Sequence, residues 1–269
     1  MYKHAKFTSV NSGLRALAGV LVGGLFAIQN AHAGLLQVNY SDLSGVAGAD
    51  FEDLGLGNNQ QVTFNNIFES GNTSFGESFA GQTVTPSGNF DVLSGAPTGP
   101  LTLVAGSASV NVTAVDGGAG DVGNTAIAGS GPLGYPDADA VGEGSIAILF
   151  DFDQSEFGFD VVGGNGGTAT AQFWARDGSL LDEIIFSLSS DIFQPYGFVT
   201  DDGLQSVAGV SIFNNDPGGI GFDNFIFDVA GVPGTPGSDD PIPVSEPSTL
   251  PLLCLSLFGL AYSRRKRVR

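Results

Sequence analysis

The stretch SIAILFDFD, residues 145–153, indicates the fold class of this chain. Four of its five large apolar side chains fall on every second residue: Ile146, Ile148, Phe150 and Phe152. A repeat of two residues puts these side chains on one face of an extended strand, whereas a helix would need a repeat near 3.6. The pattern therefore predicts a β-strand with one face in an apolar core.

The same alternation recurs on both sides of this stretch, and no segment of the body shows a helical period. Phe157, Phe159 and Val161 repeat it directly downstream, before the glycine-rich run 163–167 turns the chain. The predicted strands are residues 35–40, 62–64, 74–79, 90–93, 101–104, 108–115, 145–153, 157–161, 169–175, 180–188, 207–213 and 221–229. They predict an all-β domain at residues 34–230, an antiparallel two-sheet β-sandwich of the jelly-roll type, with residues 116–139 as a long surface loop.

Charge is distributed very unevenly along the chain. All 28 Asp and Glu lie between residues 34 and 263, where Arg176 is the only Lys or Arg. That interval therefore has a net charge of about −27, which repels phosphate groups and anionic lipid headgroups. The charge excludes nucleic acid as a partner, and it favours either affinity for divalent cations or a preference for salt.

The rare reactive side chains are confined to the ends of the chain. Cys254 is the only cysteine, and His4 and His32 are the only histidines. The body therefore contains neither a His-based catalytic triad nor a zinc site of the His or Cys type. An enzyme built on this body would have to use carboxylates.

Residues 1–33 have the three parts of a secretory signal peptide. A positively charged start precedes an apolar run at residues 16–28. Ala31 and Ala33 then supply the small-x-small pattern that signal peptidase cleaves. We therefore expect export, a mature chain that begins at Gly34, and signal peptidase as a partner.

The C-terminal segment, residues 244–269, also has three parts in a fixed order. Glu246, Pro247 and Ser248 come first, residues 249–263 form an apolar run, and five of the last six residues are basic. As a helix the run would be about 22 Å long, shorter than the roughly 30 Å of a hydrocarbon core. It predicts a transmembrane helix that spans only with bilayer thinning or with snorkelling of the arginines behind it, with the basic end in the cytoplasm.

This order of Glu-Pro-Ser, short apolar helix and arginine cluster resembles the PEP-CTERM sorting signal of Gram-negative bacteria. Glu246 and Pro247 match the family's Glu-Pro, whereas Ser245 stands where the family usually has proline. The resemblance implies a membrane peptidase, exosortase, as a partner that cleaves near the motif and passes the protein to the envelope, the surface or the medium. The proline- and glycine-rich residues 231–243 would be a linker that holds the body away from the membrane.

Two acidic segments, near the beginning and the end of the body, are candidate calcium ligands. Glu52 and Asp53 lie in the first, and Asp223 and Asn224 lie in the closing strand. Calcium takes six to eight oxygens from carboxylates, amides and the backbone. The arrangement resembles carbohydrate-binding jelly-roll modules, in which a structural calcium often ties the first and last strands together. The alternative is that these are solvated acids at strand ends.

Two further features bear on function. The neighbouring acids Asp151 with Asp153, and Asp182 with Glu183, form weak candidate pairs for glycosidase chemistry, and we assign no catalytic residue. Trp174 points away from Phe173 in an alternating strand, so it is a candidate for stacking on sugars, with Tyr135 or Tyr196, or else a cover for the second face of its sheet.

These observations favour a secreted, non-enzymatic protein of the cell surface or the extracellular matrix, whose body is either structural or carbohydrate-binding, with extracellular polysaccharide as the partner in the second case. One alternative is a polysaccharide hydrolase or lyase that uses carboxylates, which would need a concave cleft with a close acid pair. Another is an ice-binding or surface-binding protein, which would need a flat threonine array larger than Thr168 and Thr170.

Overall fold

A computed structural model describes residues 34–116, 124–189 and 193–228, and this part of the chain is mostly β-strand. Besides three single-turn 3-10 helices at Tyr40–Asp42, Glu52–Leu54 and Ala138–Ala140, it has nineteen strands. The strands are Leu35–Val38 (β1), Ala47–Ala49 (β2), Gln61–Thr63 (β3), Phe68–Ser70 (β4), Thr73–Gly76 (β5), Ser78–Phe79 (β6), Thr83–Ser87 (β7), Phe90–Ser94 (β8), Leu103–Val104 (β9), Val112–Asp116 (β10), Thr125–Ser130 (β11), Val141–Gly144 (β12), Ile146–Gln154 (β13), Glu156–Val162 (β14), Thr168–Trp174 (β15), Leu180–Ser187 (β16), Phe193–Thr200 (β17), Val207–Asn214 (β18) and Gly221–Phe227 (β19).

Two large sheets contain most of these strands. The nine-stranded sheet has the order β1-β17-β14-β19-β11-β10-β3, with β12 paired to β11 and β2 paired to β19. The six-stranded sheet has the order β16-β15-β18-β13-β5-β4, and β6-β9 and β7-β8 form two small ribbons. Every pairing between these strands is antiparallel, as predicted.

The main core contains aromatic side chains from both large sheets. Phe173 of β15 contacts Phe198 of β17 with ring centroids 5.1 Å apart, and Phe150 of β13 contacts Phe157 of β14 at 5.1 Å. In each pair one ring comes from the six-stranded sheet and the other from the nine-stranded sheet. Facing sheets that share one apolar core fit a two-sheet β-sandwich; the finer jelly-roll assignment stays a prediction.

The stretch that indicated the fold class forms the central strand β13. Ile148 pairs with Val210 of β18 on one side and with Phe75 of β5 on the other. Ile146, Ile148 and Phe150 are buried in the main core, as the alternation predicts.

The predicted surface loop at residues 116–139 is wrong in its middle. Residues Thr125–Ser130 form β11, which lies inside the nine-stranded sheet, and every one of its residues is buried. Small side chains are required there because the neighbouring backbone is very close: a Cβ on Gly129 would lie 2.4 Å from the Ser145 carbonyl oxygen.

Both ends of the described chain lie at one end of the nine-stranded sheet. Leu35 at the start of β1 pairs with Thr200, and the Thr200 amide donates to the Ser155 carbonyl oxygen at 2.8 Å. The Ser155 hydroxyl in turn donates to the Asp228 carboxylate, just after β19, at 2.6 Å. The first described strand therefore begins, and the last one ends, at the same end of this sheet, with β17 and β14 between them.

The opposite end of this sheet is fastened by a carboxylate. Asp216 is fully buried, and its oxygens accept hydrogen bonds from the backbone amides of Asn165, Gly166 and Gly218 at 2.7–2.9 Å. The glycine-rich turn after β14 is thereby held to the turn between β18 and β19. Three charge-assisted hydrogen bonds offset the cost of burying this anion.

The predicted signal helix at residues 1–33, the linker at 231–243 and the apolar tail at 249–263 lie outside the described residues. Within the described ranges, no helix has the length and apolar character needed to cross a membrane.

The shared core predicts a large cost for truncating a ring that joins the sheets. Phe173→Ala should lower the free energy of unfolding by about 3–5 kcal/mol, because it removes buried contacts and leaves a cavity. Phe193→Ala is the control, since that ring is 37% exposed, and it should cost about 1 kcal/mol or less. Urea unfolding of both variants measures the difference; equal losses would contradict the shared core.

Candidate functional site

An irregularity in β19 creates the first candidate site. The strand pairs with β11 at Phe222 and with β2 from Phe225 onward, so its partner on that side changes at residues 223–224. Asn224 has φ 48°, in the left-handed region that few residues other than glycine adopt. On the other side, the register with β14 shifts between Gly158 and Asp160. These are the features of a β-bulge, a device that redirects side chains near functional sites.

The bulge brings two acids together. Asp160 and Asp223 are partners across β14 and β19, so their side chains lie on the same face of the sheet. Asp160 has a partner, because the Asn224 side-chain amide donates to its Oδ2 at 2.9 Å. The Tyr40 hydroxyl donates to the Asn224 carbonyl oxygen at 2.6 Å, which fixes the backbone at the bulge.

Asp223 is buried without a partner. It is 0% exposed, and neither carboxylate oxygen has a hydrogen-bond partner of acceptable geometry. Burial raises the pKa of Asp223 to about 7; the nearby Asn224 amide lowers this pKa, and the charges of Glu52, Asp160 and Asp50 raise it further. Native structures pair nearly all such groups, so this carboxylate needs an explanation.

The structure brings together three of the four predicted calcium ligands. Glu52, Asp223 and Asn224 share this neighbourhood, and Glu52 Oε1 also accepts from the Thr125 amide at 2.8 Å. Asp53 is exposed and is not one of the charges that act on Asp223. In the described ranges, no group of three or more His, Cys, Asp or Glu is already arranged around one metal position.

Asp50 and Asp160 join this neighbourhood, although the sequence did not single them out. Asp160 occupies an outward position in an alternating strand, which is typical of a solvated acid. Only the register of β14 against β19 places it beside Asp223. The period-2 pattern shows which face a residue occupies but not which residue of another strand lies opposite.

A second candidate site is a cleft of about 460 Å³ with two carboxylates in its wall. Glu77 precedes β6, and Asp91, on β8, is only 3% exposed. Burial, and then the charge of Asp91, raises the pKa of Glu77 to about 7. Burial also raises the pKa of Asp91, while the Ser145 amide lowers it. Leu133 lies at the rim of the cleft, where it is 49% exposed.

Sequence reasoning missed this pair because its two members belong to a weakly patterned region. Glu77 and Asp91 are fourteen positions apart in the sequence; Glu77 lies directly before the two-residue strand β6, and Asp91 lies in the five-residue strand β8. The available signal was Asp91 itself, which replaces an apolar residue at an inward position of the short alternating run Phe90–Ser94.

Another buried acid, Glu143, lies on β12. Its Oε2 has no hydrogen-bond partner, and burial, followed by the charges of Asp139 and Asp137, raises its pKa. It does not line the cleft of Glu77.

Three of the four acids in the adjacent pairs considered in the sequence have structural partners. Asp153 forms an ion pair with Arg176 at 2.7 Å. Asp182 accepts from the Leu35 amide at 2.8 Å, and Glu183 accepts from the Gln172 side chain at 2.9 Å. These contacts fasten strands to one another.

The burial of Trp174 contradicts the predicted sugar-stacking platform. The side chain is 2% exposed, and its indole N–H donates to the Ser211 hydroxyl at 2.9 Å. A second apolar cluster, with Phe79 and Leu101, covers this face of the six-stranded sheet. The alternative interpretation is therefore correct: Trp174 covers the second face of its sheet. Tyr196, a suggested partner in the platform, is also buried.

The sorting residues Glu246, Pro247 and Ser248 and the cleavage residues Ala31 and Ala33 lie outside the described residues.

Comparison with known proteins identifies the C-terminal segment. A family profile of the PEP-CTERM protein-sorting motif matches residues 243–266, which agrees with the resemblance seen in the sequence. No curated protein matches the chain. The sorting motif therefore rests on a family match, whereas the body has to be interpreted from its own geometry.

The cleft predicts a pH-dependent stability. Because the folded state raises the pKa of Glu77, it binds this proton more tightly than the unfolded state does. The stabilisation is complete below the unfolded pKa, near 4.3, and is lost as the pH rises to about 7. Glu77→Gln should remove up to about 3 kcal/mol of this pH-dependent decline in the free energy of unfolding.

Urea unfolding of wild type and Glu77→Gln at several pH values between 4 and 8 measures the effect. Glu69→Gln is the control, because this glutamate is exposed on β4. A wild-type profile retained by Glu77→Gln would contradict the raised pKa.

Proposed function

We propose that this chain is a non-enzymatic protein of the cell surface or the extracellular matrix, delivered there through an exosortase. The observation that carries the proposal is the PEP-CTERM protein-sorting motif at residues 243–266, which indicates an exosortase-targeted extracellular protein. The predicted signal peptide at residues 1–33 supports entry into the export pathway.

The proposed route follows from the two ends of the chain. Signal peptidase would cleave after Ala33, and the apolar run 249–263 would hold the protein transiently in the inner membrane. The terminal basic residues would keep the C-terminus in the cytoplasm. Cleavage near Glu246 and Pro247 would then release the body toward the envelope, the surface or the medium.

The composition of the body supports a passive extracellular role. It carries neither cysteine nor methionine, the two side chains whose oxidation most often damages proteins outside the cell. Its charge repels other anionic surfaces and keeps the protein soluble. We propose a neutral matrix polysaccharide as the partner class, because hydroxyl-rich chains accept and donate hydrogen bonds without adding like charge.

The ice-binding alternative receives no support from the residues that suggested it. Thr168 and Thr170 are only half-buried neighbours on β15, with β16 and β18 on either side. They give no extended array on their own.

The sorting proposal predicts that the Glu-Pro pair controls processing of the tail. When the full chain is expressed in a bacterium with a functional exosortase, wild type should lose its C-terminal segment. The double variant Glu246→Ala/Pro247→Ala should accumulate uncut in the membrane fraction, at least tenfold above wild type. Mass spectrometry of the fractionated protein measures both species.

Ser245→Pro is the matched control, since it restores the residue usual in the family and should be processed at least as fast as wild type. Equal cleavage of the double variant, or cleavage in a strain without exosortase, would contradict the proposal.

The cleft of Glu77 and Asp91 favours one second candidate function, a polysaccharide hydrolase or lyase. Two carboxylates with raised pKa values in a cleft could share the roles of acid and base. For hydrolysis, protonated Glu77 would donate its proton to the glycosidic oxygen, and ionised Asp91 would take a proton from the attacking water.

This candidate predicts that the purified chain releases reducing ends from a soluble polysaccharide. Glu77→Gln should reduce that rate at least a hundredfold, while Glu183→Gln, away from the cleft, should leave it unchanged. Wild type that binds polysaccharide without producing new reducing ends would contradict the enzyme and support the non-enzymatic function.

A further inference from the structure

We infer that the β19 bulge is a site for a hard divalent cation of the calcium class, with Asp223 as its fixed ligand and Glu52, Asp50 and Asp160 as the other carboxylates. This inference concerns the folded body alone and does not depend on the proposed function. It rests on a buried side chain without a partner in an environment of like charge.

The burial of Asp223 without a hydrogen-bond donor is energetically unfavourable. The residue is 0% exposed, and neither of its carboxylate oxygens accepts a hydrogen bond of acceptable geometry. An ionised carboxylate in this position costs several kcal/mol unless a counter-charge offsets the lost hydration. Asp216 shows how the same protein satisfies a buried carboxylate, with three backbone amides as donors. Asp223 has no comparable set of donors.

The side chains around Asp223 add only negative charge. The charges that act on Asp223 come from Glu52, Asp160 and Asp50, and all three are negative. Arg176 is the only Lys, Arg or His in the described ranges, and its guanidinium is bound to Asp153 and to the Phe150 carbonyl oxygen. No side chain of the described body is therefore available to supply positive charge at the bulge.

Several carboxylate oxygens near the bulge are available to bind an ion. Asp223 offers two, Glu52 retains Oε2 while Oε1 accepts from Thr125, and Asp160 retains Oδ1 while Oδ2 accepts from Asn224. With the exposed Asp50 and bound waters, these oxygens can approach the six to eight that calcium takes.

The chemistry of this donor set selects the class of cation. Zinc and the other softer metals favour nitrogen and sulfur, and the described body contains no histidine or cysteine. Magnesium requires a near-ideal octahedron and gives up its waters reluctantly, whereas calcium tolerates irregular oxygen sets.

The geometry also shows which ligands have to move. The carboxylates are not already gathered around one position. Asp50 and Glu52 are exposed and can rotate, whereas Asp223 is held in β19 between two neighbouring strands. We therefore expect the cation to draw the segment around Glu52 onto the bulge. It would fasten an early segment of the body to the last described strand.

The test is calcium-dependent unfolding of the purified full chain at pH 8. Calcium chloride, added to protein stripped with chelator, should raise Tm in a saturable manner, beyond sodium chloride of matched ionic strength and beyond magnesium chloride. Isothermal titration calorimetry should give about one site per chain. Asp223→Asn should abolish the calcium-dependent rise.

Two further variants keep the test decisive if Asp223→Asn fails to fold. Glu52→Gln changes an exposed side chain, and it should weaken calcium binding at least tenfold in Kd. Asp91→Asn is the matched control, because it removes a buried carboxylate at the other site and should retain the wild-type calcium response.

The inference is overturned if calcium leaves Tm and the calorimetric heats of wild type unchanged beyond the salt control. It is also overturned if Glu52→Gln and Asp91→Asn weaken calcium binding equally, because the effect would then come from the general acidity of the chain.

Discussion

The packing of phenylalanine rings between the two large sheets is the interaction on which the rest of the structure depends. Phe186 of β16, in the six-stranded sheet, contacts Phe159, Tyr196 and Phe198 of the nine-stranded sheet, with ring centroids 4.5–6.3 Å apart. The body has no disulfide, so apolar burial has to supply the stability that the large negative charge opposes. Each fully buried ring contributes on the order of 1.5–3 kcal/mol relative to exposure. The acidic surface is tolerated because this layer is continuous.

The same core explains where unusual acids occur. Strands that pack a filled layer on one face have little freedom to adjust, so bulges and short ribbons accommodate the irregular parts of the chain. Asp223 lies at the bulge where the partner strand of β19 changes from β11 to β2. Glu77 lies beside the short ribbon of β6 and β9. Candidate chemistry in this protein is therefore found where regular pairing stops.

The sequence predicted those parts of the fold that depend on local alternation. The strand around Ile148 was predicted from its period alone, and the antiparallel all-β class followed from its repetition. The buried strand β11 was missed because five of its six residues are Thr, Ala, Gly or Ser, a composition that resembles a loop, with Ile127 as its one large apolar residue. Close backbone packing leaves no room for a side chain at Gly129. Trp174 was placed on the correct face, but its cover comes from Phe79 and Leu101, far away in the sequence.

The candidate sites depended even more on long-range register. Glu52 and Asp223 were linked in advance because both lie in short acidic segments, whereas Asp160 required knowledge of its partner strand. The pair of Glu77 and Asp91 carried almost no local signal. The sorting motif, in contrast, could be recognised from the sequence alone. Its three parts are contiguous, and recognising them does not require knowledge of the folded body.

The position of the chain ends gives the body a direction. Because β1 begins and β19 ends at the same end of one sheet, a tether attached to either terminus pulls on the same pole of the domain. The turns held by Asp216 lie at the other pole. If the body is held by either terminus, the pole with the Asp216 turns is the part farthest from the attachment point. Cleavage beyond the terminal strands would then leave the pairing of both sheets unchanged.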